Sequence, residues 1–196
     1  MTATPRMSNN PAFQSLKGQL LIAVPGIDDD RFNQAVVYIY AHTEDIGAQG
    51  LVINKPAQKL YLQDVMKQLR LPLSVARNTP VLLGGPDHLT SGFILHTPDY
   101  HCPATHLVNE DVSLTATQDI LHDISLGKGP ESYLMTLGCS SWDKGQLEDE
   151  LMGNVWLTMP ATHQILFHTP FADRWACALR TLGVEAYRLS GTAGKA

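Results

Sequence analysis

Short apolar runs alternate along the chain with polar segments rich in glycine, proline and aspartate. Gly18–Pro25 and Ala35–His42 are dense in Leu, Ile, Val and Tyr, which favour strands because branched and aromatic side chains pack well on a pleated surface. The polar residues 26–30 connect these two strands. Gly47–Gly50 predicts a turn before a third strand, Leu51–Asn54, so the pattern indicates a hairpin.

Helical spacing of apolar residues follows. Leucine, valine and methionine recur between Leu60 and Leu69, which predicts a short amphipathic helix that Pro72 ends. Ser113 is expected to cap a second helix that ends at Gly127. Two more helices are predicted, a short one within residues 143–152 and a final long one carrying Phe171, Trp175 and Leu179 on one face. Further strands are predicted at Val81–Leu83, Gly92–His96, Ser132–Leu137 and Val155–Met159. Helices mixed with adjacent hairpins favour an α+β fold.

The size and composition are those of one compact domain. The chain has 196 residues, of which 44% are hydrophobic and 17% charged, enough apolar side chains for a single core. We expect the domain to span residues 18–190, between flexible segments at 1–17 and 191–196. No internal repeat or low-complexity linker divides the chain.

Charge and cysteine content exclude several functional classes. The net charge is −5 and the 14 basic residues are scattered, which disfavours direct binding to nucleic acid. No apolar run is long enough for a membrane span, and the N-terminal residues lack the apolar core of a signal peptide. Three cysteines without a CxxC pair favour reduced thiols. We therefore expect a cytoplasmic protein that does not associate with a membrane.

A possible nucleophile lies in the segment Gly138–Trp142, where a strand is expected to meet a helix. Such a position can expose Cys139 or Ser141 beside unpaired backbone N–H groups, and a helix N-terminus would lower the pKa of a thiol. His163 or His168 would then be the base. Buried packing of Cys139 is the more common role of a free cysteine, and both interpretations remain open at this point.

A histidine-rich segment provides candidate metal ligands. Three imidazoles and a thiol lie within residues 96–106, and both groups are acceptable ligands for zinc. The candidates are His96, His101, Cys102 and His106. Their spacing matches no standard zinc site, so a polar surface loop is the favoured interpretation. No cofactor is expected.

Several motifs together resemble the YqgE/AlgH family of small bacterial proteins. The blocks that carry this resemblance are Gly18–Pro25, Asp29 with Phe32, Gly50–Pro56, Gly84–Pro86 with Gly92–His96, and Trp142 to Trp156. Four positions depart from the usual family pattern: Ala35, Ala41, Ser91 and Cys139. Because Cys139 replaces a usual aromatic residue, the family does not support it as a nucleophile.

The resemblance implies a strongly bent, mixed or antiparallel sheet that forms a pseudo-barrel with helices packed outside. It also brings a transcriptional-regulator label, although no helix-turn-helix with basic groove-facing residues is evident. Direct regulation through DNA is therefore ranked last, and any regulatory effect is expected to be indirect.

Polar motif residues at predicted strand ends and turns indicate a shared cleft, since such ends often converge on binding sites. The candidate binding residues are Asn54, Lys55, Gly84, Gly85, His96, Trp142, Gly145, Gln146 and Glu148. Trp142 and the acids of residues 146–150 are expected to place an aromatic wall and carboxylates along a groove, or to cap a helix and face water. We favour a non-enzymatic module for a small ligand or protein partner, with a hydrolase or transferase as the alternative.

Overall fold

The computed structural model of the chain describes residues 13–27, 29–73 and 78–184. The strands are β1 (Gln19–Ala23), β2 (Val36–Thr43), β3 (Gly47–Val52), β4 (Pro56–Tyr61), β5 (Pro80–Leu83), β6 (Asp87–His96), β7 (Thr105–Leu107), β8 (Ser113–Thr115), β9 (Tyr133–Trp142) and β10 (Trp156–Pro160). The helices are α1 (Leu62–Gln68), α2 (Gln118–Ser125), α3 (Gln146–Met152) and α4 (Arg174–Thr181). Short 3₁₀ turns at Asp30–Phe32 and Phe171–Asp173 and a π-helical turn at Gln164–His168 complete the set.

A single curled sheet contains these strands, in the order β10-β1-β2-β3-β9-β6-β8-β7, with β4 and β5 attached beside β9. All pairs are antiparallel except β5 with β9. Strand β9 is the junction, because it pairs with β3 near Trp142 and with β5 and β6 nearer its start. The expected α+β fold with a strongly bent sheet is confirmed.

Strand β1 is apolar throughout because both of its faces are covered. Leu20 and Ile22 point into one hydrophobic cluster, and Leu21 and Ala23 point into another. Successive strand side chains point to opposite faces, so two cores require an unbroken apolar run rather than an alternating one. The sequence signal for β1 and β2 was strong for this reason.

A third cluster lies where α1 and α2 pack on the outside of the sheet. Leu62 and Met66 from α1 meet Ile120 and Ile124 from α2 over β6 and β9. The helical spacing of these apolar residues supplies one buried stripe per helix. This arrangement agrees with the expectation of helices outside the sheet.

The predicted turn at Gly47–Gly50 is wrong, because these residues form the first part of β3 and the turn lies at residues 44–46. The glycines are needed for close packing. A Cβ at Gly50 would lie 2.7 Å from a methyl group of Val37, and one at Gly47 would lie 2.1 Å from the carbonyl oxygen of Trp142. Crowding between strands therefore accounts for glycines that resemble a turn signal.

The predicted first helix begins too early. Residues 56–61 form β4, which pairs with β5 through Pro56 opposite Leu82 and Tyr61 opposite Pro80. The register shifts between these pairs, and Lys59 in that interval has a φ of 56°. An irregular, mostly exposed strand has no clean period of two, so its sequence does not reveal it.

Three other boundaries are also corrected. Ser113 begins strand β8, paired with β6, and α2 starts only after Thr117. Strand β9 continues through Trp142, so Gly138 lies within a strand. The final helix is divided into a 3₁₀ turn from Phe171 and the α-helix from Arg174.

Residues 13–17 contact β2 through His42. The Ser15 hydroxyl donates to the His42 carbonyl oxygen, and the Leu16 backbone N–H donates to His42 Nδ1 at 2.9 Å. The predicted domain limits of 18 and 190 stay a prediction, and residues 1–12 and 185–196 lie outside the described residues. Within the described ranges, no helix has the length and apolarity required to cross a bilayer.

Candidate functional site

A cleft of about 380 Å³ opens where the turn after β1, the turn before β6, the end of β9 and helix α3 meet. We call it the aromatic–acidic cleft. Its lining residues are Ile27, Asp29, Arg31, Phe32, Pro86, Asp87, Ser140, Ser141, Trp142, Gln146, Glu150, Val155 and Trp156. A cavity of this volume suits a small ligand or a few side chains of a partner.

Glu150 holds the aromatic wall of the cleft in place. The indole Nε1 groups of Trp142 and Trp156 donate to the same carboxylate oxygen, at 2.8 and 2.7 Å. The other oxygen accepts from Gln146 Nε2 at 2.9 Å. The two indole rings meet edge to face with centroids 6.2 Å apart, and Phe32 packs against Trp156 at 5.6 Å. Hydrogen bonds to a carboxylate are among the stronger ones, so Glu150 fixes the orientation of both indole rings.

The opposite rim carries an exposed ion pair. Arg31 donates from Nε and Nη2 to both carboxylate oxygens of Asp29, the Nη2 contact being 2.6 Å. These hydrogen bonds lower the pKa of Asp29 and raise the pKa of Arg31. Asp87 and Glu150 form no ion pair with any described residue, so the lining has three carboxylates and one guanidinium.

Gly85 allows the turn before β6 to lie against β9. Its φ is 151°, and a Cβ there would lie 2.3 Å from the carbonyl carbon and oxygen of Cys139. Gly84 is bound in the sheet, since its N–H donates to the Leu137 carbonyl and its own carbonyl accepts from Val52. Close approach of backbones is a main use of glycine, and here it brings Pro86 and Asp87 to the cleft.

Asn54 and Lys55 do not line the cleft, and they affect it only through the backbone segment that they bind. Asn54 is buried, accepts from the Val36 backbone N–H at 2.8 Å and donates to the Gln34 carbonyl at 2.8 Å. The Lys55 ammonium donates to the Asn33 carbonyl, and burial lowers the pKa of Lys55. Both side chains fix the segment 29–35, which carries the ion pair and Phe32 at the rim.

Gly145, Gln146 and Glu148 are all placed by the start of α3. Gly145 adopts a φ of 81° at the residue before the helix, and Gln146 lines the cleft. Glu148 points away and accepts from His42 Nε2 at 3.0 Å. Since His42 Nδ1 accepts from Leu16, the hydrogen on this ring is on Nε2.

His96 does not join the cleft. It is fully buried at the other end of β6, with Nδ1 bound to the Thr97 carbonyl at 2.8 Å and Nε2 to the Thr115 hydroxyl at 2.9 Å. Burial lowers the pKa of His96, so its imidazole is neutral. It is a core histidine rather than a group available to a ligand.

The histidine-rich segment does not assemble as a metal site. His101 and His106 are exposed, and the Cys102 thiol contacts the Thr105 hydroxyl at 3.4 Å. Throughout the described ranges, no three His, Cys, Asp or Glu side chains are placed to hold one ion.

The candidate nucleophiles do not meet their candidate bases. Cys139 is 1% exposed inside β9 and lies well before α3, so no helix N-terminus activates it. Burial raises the pKa of its thiol, whereas the nucleophile interpretation requires a lowered one. His163 and His168 lie in or beside the π-helical turn, with their rings 4.8 Å apart. Among the described residues, no histidine nitrogen is hydrogen-bonded to Cys139 or Ser141.

Sequence reasoning overlooked part of the lining. From the sequence, Glu150 is expected among the acids beside Trp142, but Asp29, Phe32 and Trp156 are given only as motif members and Asp87 is not singled out. The available signal is membership of the motif blocks, since Trp156 lies in the block of Trp142 and Asp29 and Phe32 form a block of their own. Their convergence depends on β9 pairing with both β3 and β6.

Comparison with known proteins places this architecture in a family. A family profile described as AlgH-like matches residues 20–187. The chain belongs to the AlgH-like family. The solution structure of the AlgH protein from Pseudomonas aeruginosa is similar over 97% of this chain and 100% of its own, with a TM-score of 0.75 and 38% identity.

Other AlgH-like proteins are similar over nearly their full length. A UPF0301 protein of Methylobacterium nodulans is 42% identical over 95% of this chain and 92% of its own length. The UPF0301 protein YqgE of Escherichia fergusonii is 40% identical over 93% of this chain and 100% of its own. Protein DIP2367 of Corynebacterium diphtheriae shares the fold at a TM-score of 0.70 with 16% identity. These names carry no reaction or ligand.

Proposed function

We propose that this AlgH-like protein is a non-enzymatic binding module whose aromatic–acidic cleft takes a ligand bearing a positively charged group. The observation that carries the proposal is the charge of the lining. Arg31 is paired with Asp29 and also interacts electrostatically with Asp87, so the three carboxylates of the lining share one guanidinium. A bound cation would supply the missing charge.

The aromatic wall favours the same class of ligand. Phe32, Trp142 and Trp156 border the cleft, and aromatic faces attract ammonium and guanidinium groups. The apolar stem of an arginine or lysine side chain, or of a free amine, would pack against the rings while its charged end lies near the carboxylates. The ligand is thus either a small organic amine or a basic side chain of a protein partner.

Any regulatory effect of the protein would be indirect, through occupation of this cleft. We place the protein in the cytoplasm, where the three cysteines, all free in the structure, would stay reduced. The sequence motifs give no basic surface for DNA, and the 14 basic residues are outnumbered by 19 acidic ones.

Calorimetry with two probes that differ only in charge tests the proposal. Arginine amide acetylated at its α-amine is expected to bind, whereas the equally acetylated citrulline amide, which carries no charge, is expected not to. Asp87→Asn should weaken the binding of acetylated arginine amide about fivefold, since one charge at contact distance contributes roughly 1 kcal/mol in water. Glu110→Gln is the control, because Glu110 is exposed and does not line the cleft.

Equal heats for the two probes would contradict the proposal, as would an Asp87→Asn variant that binds acetylated arginine amide like the unmodified protein. Salt gives a further check, because the affinity for a cation at a partly exposed carboxylate must fall as ionic strength rises.

A further inference from the structure

A second cavity, of about 290 Å³, lies on another part of the molecule and shares no lining residue with the aromatic–acidic cleft. We call it the Arg174 cavity. It is bordered by the end of α2, the start of β9, the π-helical turn and the start of α4. The residues that matter here are Thr79, Glu131, Ser132, His168, Phe171 and Arg174.

Arg174 is an unusual residue in this wall because its charge is buried without a counterion. Its side chain is 2% exposed, and among the described residues no carboxylate forms an ion pair with it. Burial lowers the pKa of Arg174 to about 10, so it is still a cation at neutral pH. Removing an unpaired charge from water is costly, which is why buried charges are nearly always paired.

The protein satisfies this guanidinium only in part. Nε donates to the Thr169 carbonyl at 3.0 Å and Nη1 donates to the Ile53 carbonyl. The Phe171 ring lies 4.6 Å from the guanidinium carbon. A guanidinium has five N–H donors, and these two carbonyl bonds are its hydrogen bonds within the described part of the chain. Carbonyl dipoles and a ring stabilise the charge without neutralising it.

The position of Arg174 in its helix adds to the uncompensated positive charge at this wall. It is the first residue of α4, and the positive end of a helix dipole favours an anion over a cation. The adjoining wall includes the π-helical turn at Gln164–His168, a backbone form that is rare and frequent at functional sites. Hydroxyl groups of Thr79 and Ser132 border the same space.

We propose that the Arg174 cavity binds a small oxyanion, a carboxylate or phosphate group, with Arg174 as its main electrostatic partner. A planar guanidinium with free donors matches either group. Two features of the wall oppose an anion. Glu131 is an exposed carboxylate at the rim, and the end of α2 contributes carbonyl groups, of which those of Asp123 and Ile124 already accept backbone N–H bonds.

Titration with inorganic phosphate and with succinate at low ionic strength tests this proposal on the full chain. Calorimetry supplies the affinity, and the Nε–H resonance of Arg174 reports whether the anion reaches it. Binding of either probe with a shift of that resonance supports the proposal, and the preferred probe identifies a tetrahedral or planar anion. Absence of binding by both up to about 10 mM would overturn it.

Variants at the rim keep the test independent of folding, since Arg174→Met removes two structural hydrogen bonds and is open to misfolding. Glu131→Gln should tighten phosphate about fivefold and Glu131→Lys more strongly, because a repulsive charge is removed or reversed. Glu110→Gln, an equal change in net charge at an exposed site, should leave the affinity unchanged. Equal affinities for Glu131→Gln and Glu110→Gln would show that any anion binds elsewhere and would refute the proposal.

Discussion

Glu150→Ala should destabilise the protein by removing the acceptor shared by two tryptophans. Trp142 and Trp156 are 5% and 4% exposed, and both indole N–H groups donate to Glu150. A buried donor left without a partner costs about 1–3 kcal/mol. The cleft admits water to one side, so we expect the combined loss to be about 3 kcal/mol rather than the sum of two maxima.

Glu150→Gln separates the hydrogen bonds from the charge. The amide oxygen of a glutamine can accept from both indoles, but its NH₂ group then faces the Gln146 Nε2 donor, which now donates to the carboxylate at 2.9 Å. Loss of charge assistance and one opposed donor pair should cost about 1–2 kcal/mol. The stability of the Glu150→Gln variant is therefore expected to lie between that of Glu150→Ala and that of the unmodified protein.

Urea unfolding followed by circular dichroism measures these free energies. Tryptophan fluorescence provides a local readout, since hydrated indoles emit at longer wavelength. Asp149→Ala, an exposed acid on the same helix, serves as the control and should cost about 0.5 kcal/mol. A Glu150→Ala variant as stable as Asp149→Ala would refute the view that this carboxylate holds the aromatic wall.

Three further predictions address other parts of the molecule. Gly85→Ala should lower the free energy of unfolding in urea by about 3 kcal/mol, because the added Cβ would meet the Cys139 backbone. Gly26→Ala is the control, because Gly26 has a φ of 92° but open space around it, and it should cost about 1 kcal/mol. Equal losses for the two variants would contradict the packing argument. Maleimide at pH 8 should label Cys102 and Cys177, which are partly exposed, and spare Cys139, which is buried and whose pKa is raised by burial. Rapid labelling of Cys139 in the folded protein would disprove the buried role of its thiol. Because the pKa of His96 is lowered in the folded state, the unfolded state binds a proton that the folded state does not. Its contribution to stability should therefore be complete above pH 6.5 and fall below it by up to about 1.4 kcal/mol per pH unit. His96→Gln should flatten that part of the pH profile of stability, and an unchanged slope would assign the pH dependence to other groups.

Sequence by itself determined the core strands and the family. The runs that became β1 and β2 are apolar on both faces, because each strand separates two hydrophobic clusters. Burial on both faces requires apolar residues along the whole strand, and the residue types show this directly. Helix α3 was also found, since Leu147 and Leu151 lie one turn apart. Wherever a segment is buried strongly enough to select apolar residues at a clear period, its sequence reveals its structure.

Only the tertiary structure decided the elements that depend on a distant partner. Strand β4 exists because β5 pairs with Pro56 and Tyr61, and its exposed residues carry no period. The glycines of β3 are fixed by crowding from β2 and β9, although they resemble a turn locally. These contacts join residues far apart in sequence, and no local pattern encodes them.

Both cavities are also formed by contacts between distant residues that no local pattern encodes. Residue types suggested Trp142 and Gly85 as neighbours of a cleft, but only the pairing of β9 with β3 and β6 brings Asp87 and Glu150 there. Nothing in the sequence around Arg174 distinguishes it from a solvated arginine on a helix. It became a buried cation because the fold carries it to the Ile53 carbonyl, 121 residues away, and desolvation is a property of the whole structure rather than of the segment.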